Sequence, residues 1–325
     1  YQLMIESQTE MSTLMLQSTI NIDILDEDDI PASLSFSNTD PTQIDSQFIV
    51  TLRLNEPTNK IVLKIRASEG LHGTLNAFII PPTATSKICK RLILPILPLG
   101  LHEKIPSLPL NEDLELSTIT LTGNFTQNDI LKWISNCLPN VPKVQEHEET
   151  VFYYKSTFIE TYLVISVSNG TCRISSNNLS VLTIIRKVIS NESGNKRVEI
   201  SSDIIDESIE MNLSLIHPKL EEQYKLAKNV QLIDGLKELQ MQEEDLNFLS
   251  EEYKEILGNA EQIKSSFKSQ PRKLHFLWGI IADLYSDTAI IKGIHDVSSH
   301  IPNLKRILNN YDFEELVAFF RTSIR

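Results

Sequence analysis

Glycine is scarce in this chain, with 10 in 325 residues. None of them builds a Gly-rich phosphate loop of the dinucleotide or Walker type, and no Gly-x-Ser-x-Gly elbow occurs. Cysteine is scarcer still. Cys89, Cys137 and Cys172 are odd in number, far apart and without metal-ligand spacing, which fits a reducing compartment. The histidines are scattered, with no His-x-x-x-His pair, so zinc and haem sites lack support. His295 and Asp296 near His300 could be imagined as ligands, but a polar loop between helices is the simpler reading. No apolar run reaches the length of a membrane span. A basic excess is missing too. The formal net charge is −13, of which −3 lies from His217 onward and −10 upstream. Such a chain repels phosphate backbones, and no Lys/Arg cluster is large enough for a membrane surface. The acidic run Asp26–Asp29 lacks the glycine and spaced oxygens of an EF-hand and reads as a solvated turn guarding a sheet rim. Five Asn-x-Ser/Thr triplets, without a secretory signal, read as chance matches. These absences predict no enzyme, no cofactor, no metal, no nucleic acid and no small-molecule substrate.

What is present is material for real cores: 41% hydrophobic and 22% charged residues, over a length that suits two or three domains. The chain begins at Tyr1, inside a strand-like pattern and without an initiator Met, and reads as the ordered part of something longer. Residues 1–112 alternate with period two. Leu3 and Ile5, Leu14 and Leu16, Ile20–Ile24, Leu34 and Phe36, Phe48–Leu54 and Ile61–Ile65 mark successive short strands, with Asn55–Asn59 as a turn. Leu75–Ile79 follow and stop at Pro81-Pro82. Short strands at this spacing predict an immunoglobulin-like β-sandwich. The run 91–101 holds two prolines and is expected at an edge or as an extended strap.

Residues 116–216 mix strands and helices. Ile119 and Leu121 predict a strand closed at Gly123, and Thr126-Gln-Asn-Asp predicts a helix start for Ile130–Leu138. Strands follow over Val151–Lys155 and Phe158–Val167, then a helix capped at Asn177-Asn178, then strands at Val198–Ile200 and Ile209–Leu215. This is an α+β unit, a small antiparallel sheet carrying two helices. From His217 to Arg325 the reading is all helical. The period changes across His217-Pro218: alternation at Ile209, Met211, Leu213 and Leu215 gives way to Leu220, Tyr224, Ala227, Val230, Ile233, Leu236 and Leu239. Further helices are expected after Ser250, opening at Pro271, opening at Pro302, and after Tyr311-Asp312.

Two features are candidate binding elements. Trp133, with Lys132 beside it, either fills the gap between helix and sheet or serves as a partly exposed aromatic anchor for a peptide or subunit. The stripe through Tyr224, Val230, Ile233 and Leu236 either packs on the following helices or docks partners, and its width allows both.

Several segments form a specific ordered set: Leu121-Thr-Gly-Asn-Phe125, Trp133–Pro142, Leu215-Ile-His-Pro-Lys-Leu220 and Val230–Gln240. Leu63-Lys-Ile-Arg66, Gly73-Thr-Leu75, Asn310-Tyr-Asp312 and Phe319-Phe320 add to it. With this set the chain resembles, over nearly its whole length, the C-terminal half of the Bardet–Biedl syndrome 7 family of BBSome subunits. The resemblance implies a γ-adaptin-ear-like sandwich at 1–112, a platform domain at 116–216 and a helical domain at 217–325. It implies a non-enzymatic scaffold in a coat-like adaptor complex that moves membrane proteins into and out of cilia. Recruitment by an Arf-like GTPase and pairing with the paralogous Bardet–Biedl syndrome 2 protein are implied as well. Membrane association would then be indirect, at the cilium and its basal body as well as in the cytoplasm. Clathrin-adaptor appendages share ear and platform modules, and there a Trp on the first platform helix anchors short peptides. Trp133 falls on the corresponding helix, but Ile130–Cys137 does not reproduce a full appendage peptide site.

Overall fold

The structure is a computed structural model. It describes residues 1–25, 30–37, 48–67, 70–82, 89–109, 115–142, 150–194, 196–242, 250–294 and 297–324, without the side chains of 239–242. The acidic run Asp26–Asp29 and the pair His295-Asp296 lie outside the described residues.

Six strands build the first unit: β1 (Gln2–Ser18), β2 (Ile22–Leu25), β3 (Ala32–Ser37), β4 (Phe48–Ala67), β5 (Gly73–Ile80) and β6 (Lys90–Ile96). Their order is β2-β4-β1-β5-β6, with β3 also on β4, and every pairing is antiparallel. The break expected between Ile5 and Leu14 and the turn expected at Asn55–Asn59 are both absent, because β1 and β4 run straight through. The alternation changes phase there for another reason. Leu3 pairs with Leu63 and Ile5 with Ile61, then after two register shifts Leu14 pairs with Leu52 and Leu16 with Val50. An extra residue at a bulge switches which parity faces inward while the face itself keeps pointing at the core. Leu3, Ile5, Leu14, Leu16, Val50, Leu52, Ile61, Leu63 and Ile65 accordingly share one cluster with Leu75, Ala77 and Ile79. Pro57 sits at this irregularity, where a ladder tolerates the missing N–H. β6, with Pro95, is the edge strand that the prolines predict.

The second unit is a sheet of order β12-β8-β11-β10-β9-β7 carrying two helices. Its elements are β7 (His102–Ile105), β8 (Ser117–Gly123), α1 (Gln127–Ser135), β9 (Thr150–Ser156), β10 (Tyr162–Ser168), β11 (Thr171–Ser176), α2 (Leu179–Glu192) and β12 (Val198–Asp203). One face buries Ile119, Leu121, Phe152, Tyr154, Ile165, Cys172 and Ile174 under α1 and α2, while the other is half-exposed, as an antiparallel sheet permits. The strand expected over Phe158–Val167 begins only at Tyr162; the residues before it turn, with Glu160 at a positive φ of 60°. α1 starts at a capping box. The Asp129 N–H donates to the Thr126 hydroxyl (3.3 Å) and the Thr126 N–H donates to the Asp129 carboxylate (2.9 Å). α2 is capped by Asn178, which accepts from the Ser180 N–H at 3.1 Å.

The third unit is helical: α3 (Glu207–Gln242), α4 (Glu251–Gly258), α5 (Ala260–Lys292), α6 (Ile301–Asn309) and α7 (Phe313–Ser323). Here two expectations are corrected. The strand read over Ile209–Leu215 is the first two turns of α3, and Pro218 lies inside that helix rather than opening one. The buried residues are Ile209, Leu213, Ile216 and Leu220, a helical spacing that the alternation of Ile209, Met211, Leu213 and Leu215 masks. Pro218 and Ser214 both face solvent, so the Ser214 carbonyl that loses its helical donor can bond water. Pro271 is likewise interior to α5 and exposed, and does not start a helix. The starts of α6, with Pro302 in its first turn, and of α7, capped by Asp312, agree with the sequence reading.

α3 and α5 form an antiparallel hairpin. Its base joins the platform core: Ile209, Leu213, Ile216, Leu220, Leu277, Ile281, Leu284 and Tyr285 share one cluster with the sheet, α1, α2, α6 and α7. The far end has its own small core of Ile233, Leu236, Ile256 and Ala260. Between the two, the buried Gln270 side chain donates to the Gln223 backbone carbonyl at 3.4 Å.

Candidate interaction surfaces

Trp133 lies on α1 and is 6% exposed. Its ring meets Phe125 edge-on at 6.0 Å, and the Lys196 Nζ lies 5.8 Å from its centroid. Lys196 is also ion-paired with Asp129, and this pairing with the Thr126 donors holds the Asp129 carboxyl down to about 2. Beside the indole, Asn124, Phe125, Thr126, Asp129, Lys196 and Arg197 line an open cleft of about 520 Å³. The indole is packing material for the platform core, and the cleft is bordered by the Phe125 ring together with polar groups and charges of both signs. Lys132 is exposed on the helix surface.

The α3 stripe is largely used within the chain. Ile233 and Leu236 are buried against α4 and α5, and Val230 is half-buried. Tyr224 ties three helices together. Its hydroxyl accepts from the Trp278 indole N–H of α5 at 3.1 Å and donates to the Leu308 carbonyl of α6. Its ring stacks on Tyr311 at 5.2 Å with planes 2° apart, and the Tyr311 hydroxyl lies 2.7 Å from His217 Nδ1. Burial pushes both phenols above their usual range. A second groove, of about 480 Å³, opens further along the hairpin among Lys225, Leu226, Asn229, Glu255, Ile256 and Ile263.

One junction has no trace in the sequence. The Arg66 guanidinium from β4 lies 4.1 Å from the Phe276 ring of α5 and 5.2 Å from the Phe158 ring of the platform, and it pairs with Asp23 of β2 at 3.2 Å. Phe158 and Phe276 meet edge-on at 5.0 Å, and Lys219 of α3 covers Phe158 from 5.4 Å. Cation–π contacts in so desolvated a place are worth more than at a surface, so three units meet at one guanidinium. A further cation, Arg272 of α5, lies 5.2 Å from Phe36 of β3.

Among the described residues no group of three or more His, Cys, Asp or Glu side chains could hold a metal, and no helix is long and apolar enough to cross a membrane. Burial pushes the Cys137 and Cys172 thiols up to about 12, far from the reactive thiolate range.

The three units coincide with three family models: the BBS7 GAE domain over residues 1–92, the BBS7 platform domain over 102–204 and the BBS7 hairpin over 206–320. The chain belongs to the BBS7 (Bardet–Biedl syndrome 7) family. Mouse BBSome complex member BBS7 is 38% identical over 323 residues, covering 98% of this chain and 45% of the relative. BBSome complex member bbs-7 of Caenorhabditis elegans is 25% identical over 269 residues, covering 81% of this chain and 37% of the relative. The chain thus spans less than half the length of these BBS7 relatives. In BBS7 terms, the Arg66 junction is where GAE domain, platform and hairpin meet, and Trp133 belongs to the platform core.

Proposed function

We propose that the chain is a scaffold subunit of the BBSome, a coat-like adaptor complex that carries membrane proteins to and from cilia, and that it works through subunit interfaces. The observation that carries this reading is the hairpin. α3 and α5 are rooted in the platform core at one end and run out to a separate small core at the other, which presents long helix faces away from the rest of the chain. The relatives' names, both complex members, support the same assignment. On this reading the partners are other BBSome subunits, with the paralogous Bardet–Biedl syndrome 2 protein first among them. The membrane is then reached indirectly, at the cilium and basal body. Co-expression of the protein with that paralogue tests it: co-purification at equal stoichiometry is expected, and a stable monomer that ignores the paralogue would sink the pairing.

The cleft beside Trp133 favours a second reading, a clathrin-adaptor-appendage-like module that takes short peptides. Trp133→Ala separates the two. A loss of about 3–5 kcal/mol of stability marks the indole as core. Lost peptide binding with unchanged melting marks a groove.

A further inference from the structure

Two edges of the first sheet differ in a way that points to a ligand. β6 carries the devices that keep sheet edges from pairing: exposed Lys90 and Arg91 at its start and Pro95 near its end. The opening of β1, Gln2-Leu3-Met4-Ile5-Glu6, has no proline and no cation, and its one charge is Glu6. Among the described residues β5 covers β1 from Thr13 to Ser18, and it ends before Pro81-Pro82. Among the described residues, Gln2–Glu6 pair on one side only, with β4.

The direction of the free groups follows from the ladder. Tyr1 and Ile65 exchange both backbone bonds, at 2.8 and 2.9 Å. Residues alternate between bonding to the partner strand and pointing away from it, so Leu3 and Ile5 bond toward β4 while Gln2, Met4 and Glu6 direct their N–H and C=O groups outward. The side chains of these three residues also share the solvent face. There Met4 is 57% exposed opposite Val62, itself 42% exposed, and Glu6 stands opposite Lys60.

We propose that this edge of β1 receives an extended segment of another protein as an added strand, with an apolar residue beside Met4 and a basic residue beside Glu6. Backbone groups in a row accept only a strand. The side-chain rows specify the rest: an apolar neighbour extends Val62–Met4, and a cation extends Lys60–Glu6 into alternating charge. A second copy of this chain is the poorer occupant. Its own edge brings Glu6 and Glu10 without a lysine, and each copy carries a net charge of −13.

The test uses the intact protein and the blocked heptapeptide Thr-Lys-Thr-Val-Thr-Lys-Thr, which places Lys, Val and Lys on one face of a strand, with its Glu-for-Lys counterpart as control. The lysine probe should bind about threefold more tightly than the glutamate probe, since the one cross-strand pair at Glu6 turns from attractive to repulsive. Hydrogen exchange should slow at Gln2, Met4 and Glu6. Met4→Pro removes one outward donor and leaves the β4 ladder intact, so binding should vanish with melting unchanged. Glu6→Lys, a milder change, should reverse the preference between the probes. Equal binding of both probes, binding that survives Met4→Pro in a folded variant, no binding of either probe, or dimerisation that Met4→Pro abolishes would each overturn the assignment.

Discussion

The hairpin has two ends built from the same two helices, and they are held in different ways. At the base, α3 and α5 contribute to a core shared with the platform sheet, α1, α2, α6 and α7. At the tip, Ile233, Leu236, Ile256 and Ala260 are buried together among the described residues, with Leu257 and Ile263 packed against them. The outside of the tip is laced by exposed pairs, Lys237–Glu261 at 3.0 Å and Lys264–Asp234 at 2.8 Å. Hydrophobic stabilisation scales with the apolar area removed from water, so the large shared core ties the base into the global stability more firmly than the described core ties the tip. An arm of this kind keeps a fixed root and a yielding end.

The sharpest way to break the comparison is to cut the same side chain at both ends. Ile281 is fully buried in the base, and Ile281→Ala should cost about 2–5 kcal/mol, read as a single cooperative loss in denaturant unfolding. A second effect separates the ends by pH. Burial pushes the Asp287 carboxyl of α5 up to about 6; Ser180 and Lys187 of α2 oppose the shift and Asp283 adds to it. The folded chain therefore holds this proton more tightly than the unfolded chain, where the carboxyl titrates near 3.8. Its contribution to stability is fully present below the unfolded value and is lost as pH rises through about 6. Asp287→Asn should stabilise the base at pH 7 by about 1–2 kcal/mol, the full shift being discounted for partial exposure. It should also flatten the pH dependence between about 4 and 6, and a melting temperature equally pH-dependent in both forms would remove Asp287 as its source.

Ile233→Ala at the tip makes the same kind of cavity with a smaller global consequence. Hydrogen exchange should quicken along the last turns of α3 and the start of α5, while the main melting transition hardly moves. A full cooperative loss matching that of Ile281→Ala would show the hairpin to be one unit and erase the distinction drawn between its ends.

How much of this was legible before the structure depends on whether the signal is local. Caps were readable, because Thr126 with Asp129, Asn178 and Asp312 each act within a single turn. The bulges of β1 and β4 were not. A change of inward parity in a continuous strand looks the same as a turn between two strands when only the pattern is visible. α3 misled for a related reason: apolar residues at 209, 211, 213 and 215 satisfy a strand, while the 209-213-216-220 spacing that satisfies a helix runs on past Pro218. That proline signalled a boundary because its cost depends on whether the freed carbonyl meets water, which is a tertiary fact. Trp133 was readable as core or contact, and only neighbours distant in sequence, such as Lys196, show which face of it is covered. Arg66, Phe158 and Phe276 lie in three different units, and no spacing rule could join them.

The smallest expected effect tests whether charge rather than packing holds the tip. Lys264 and Asp234 form a close pair, and each shifts the other toward its charged form: Lys264 pulls the Asp234 carboxyl down, and Asp234 raises the Lys264 ammonium. Both sit in solvent, where the attraction is weak, screened by salt and set against the entropy of holding the long Lys264 side chain still. Lys264→Ala should leave the melting transition where it was at physiological salt. Raising the salt concentration should likewise not distinguish the variant from the parent. A tip that opens measurably faster to hydrogen exchange in Lys264→Ala, and does so only at low salt, would transfer part of its cohesion from Ile233 and Leu236 to the ion pairs. The arm would then yield to ionic strength as well as to a partner.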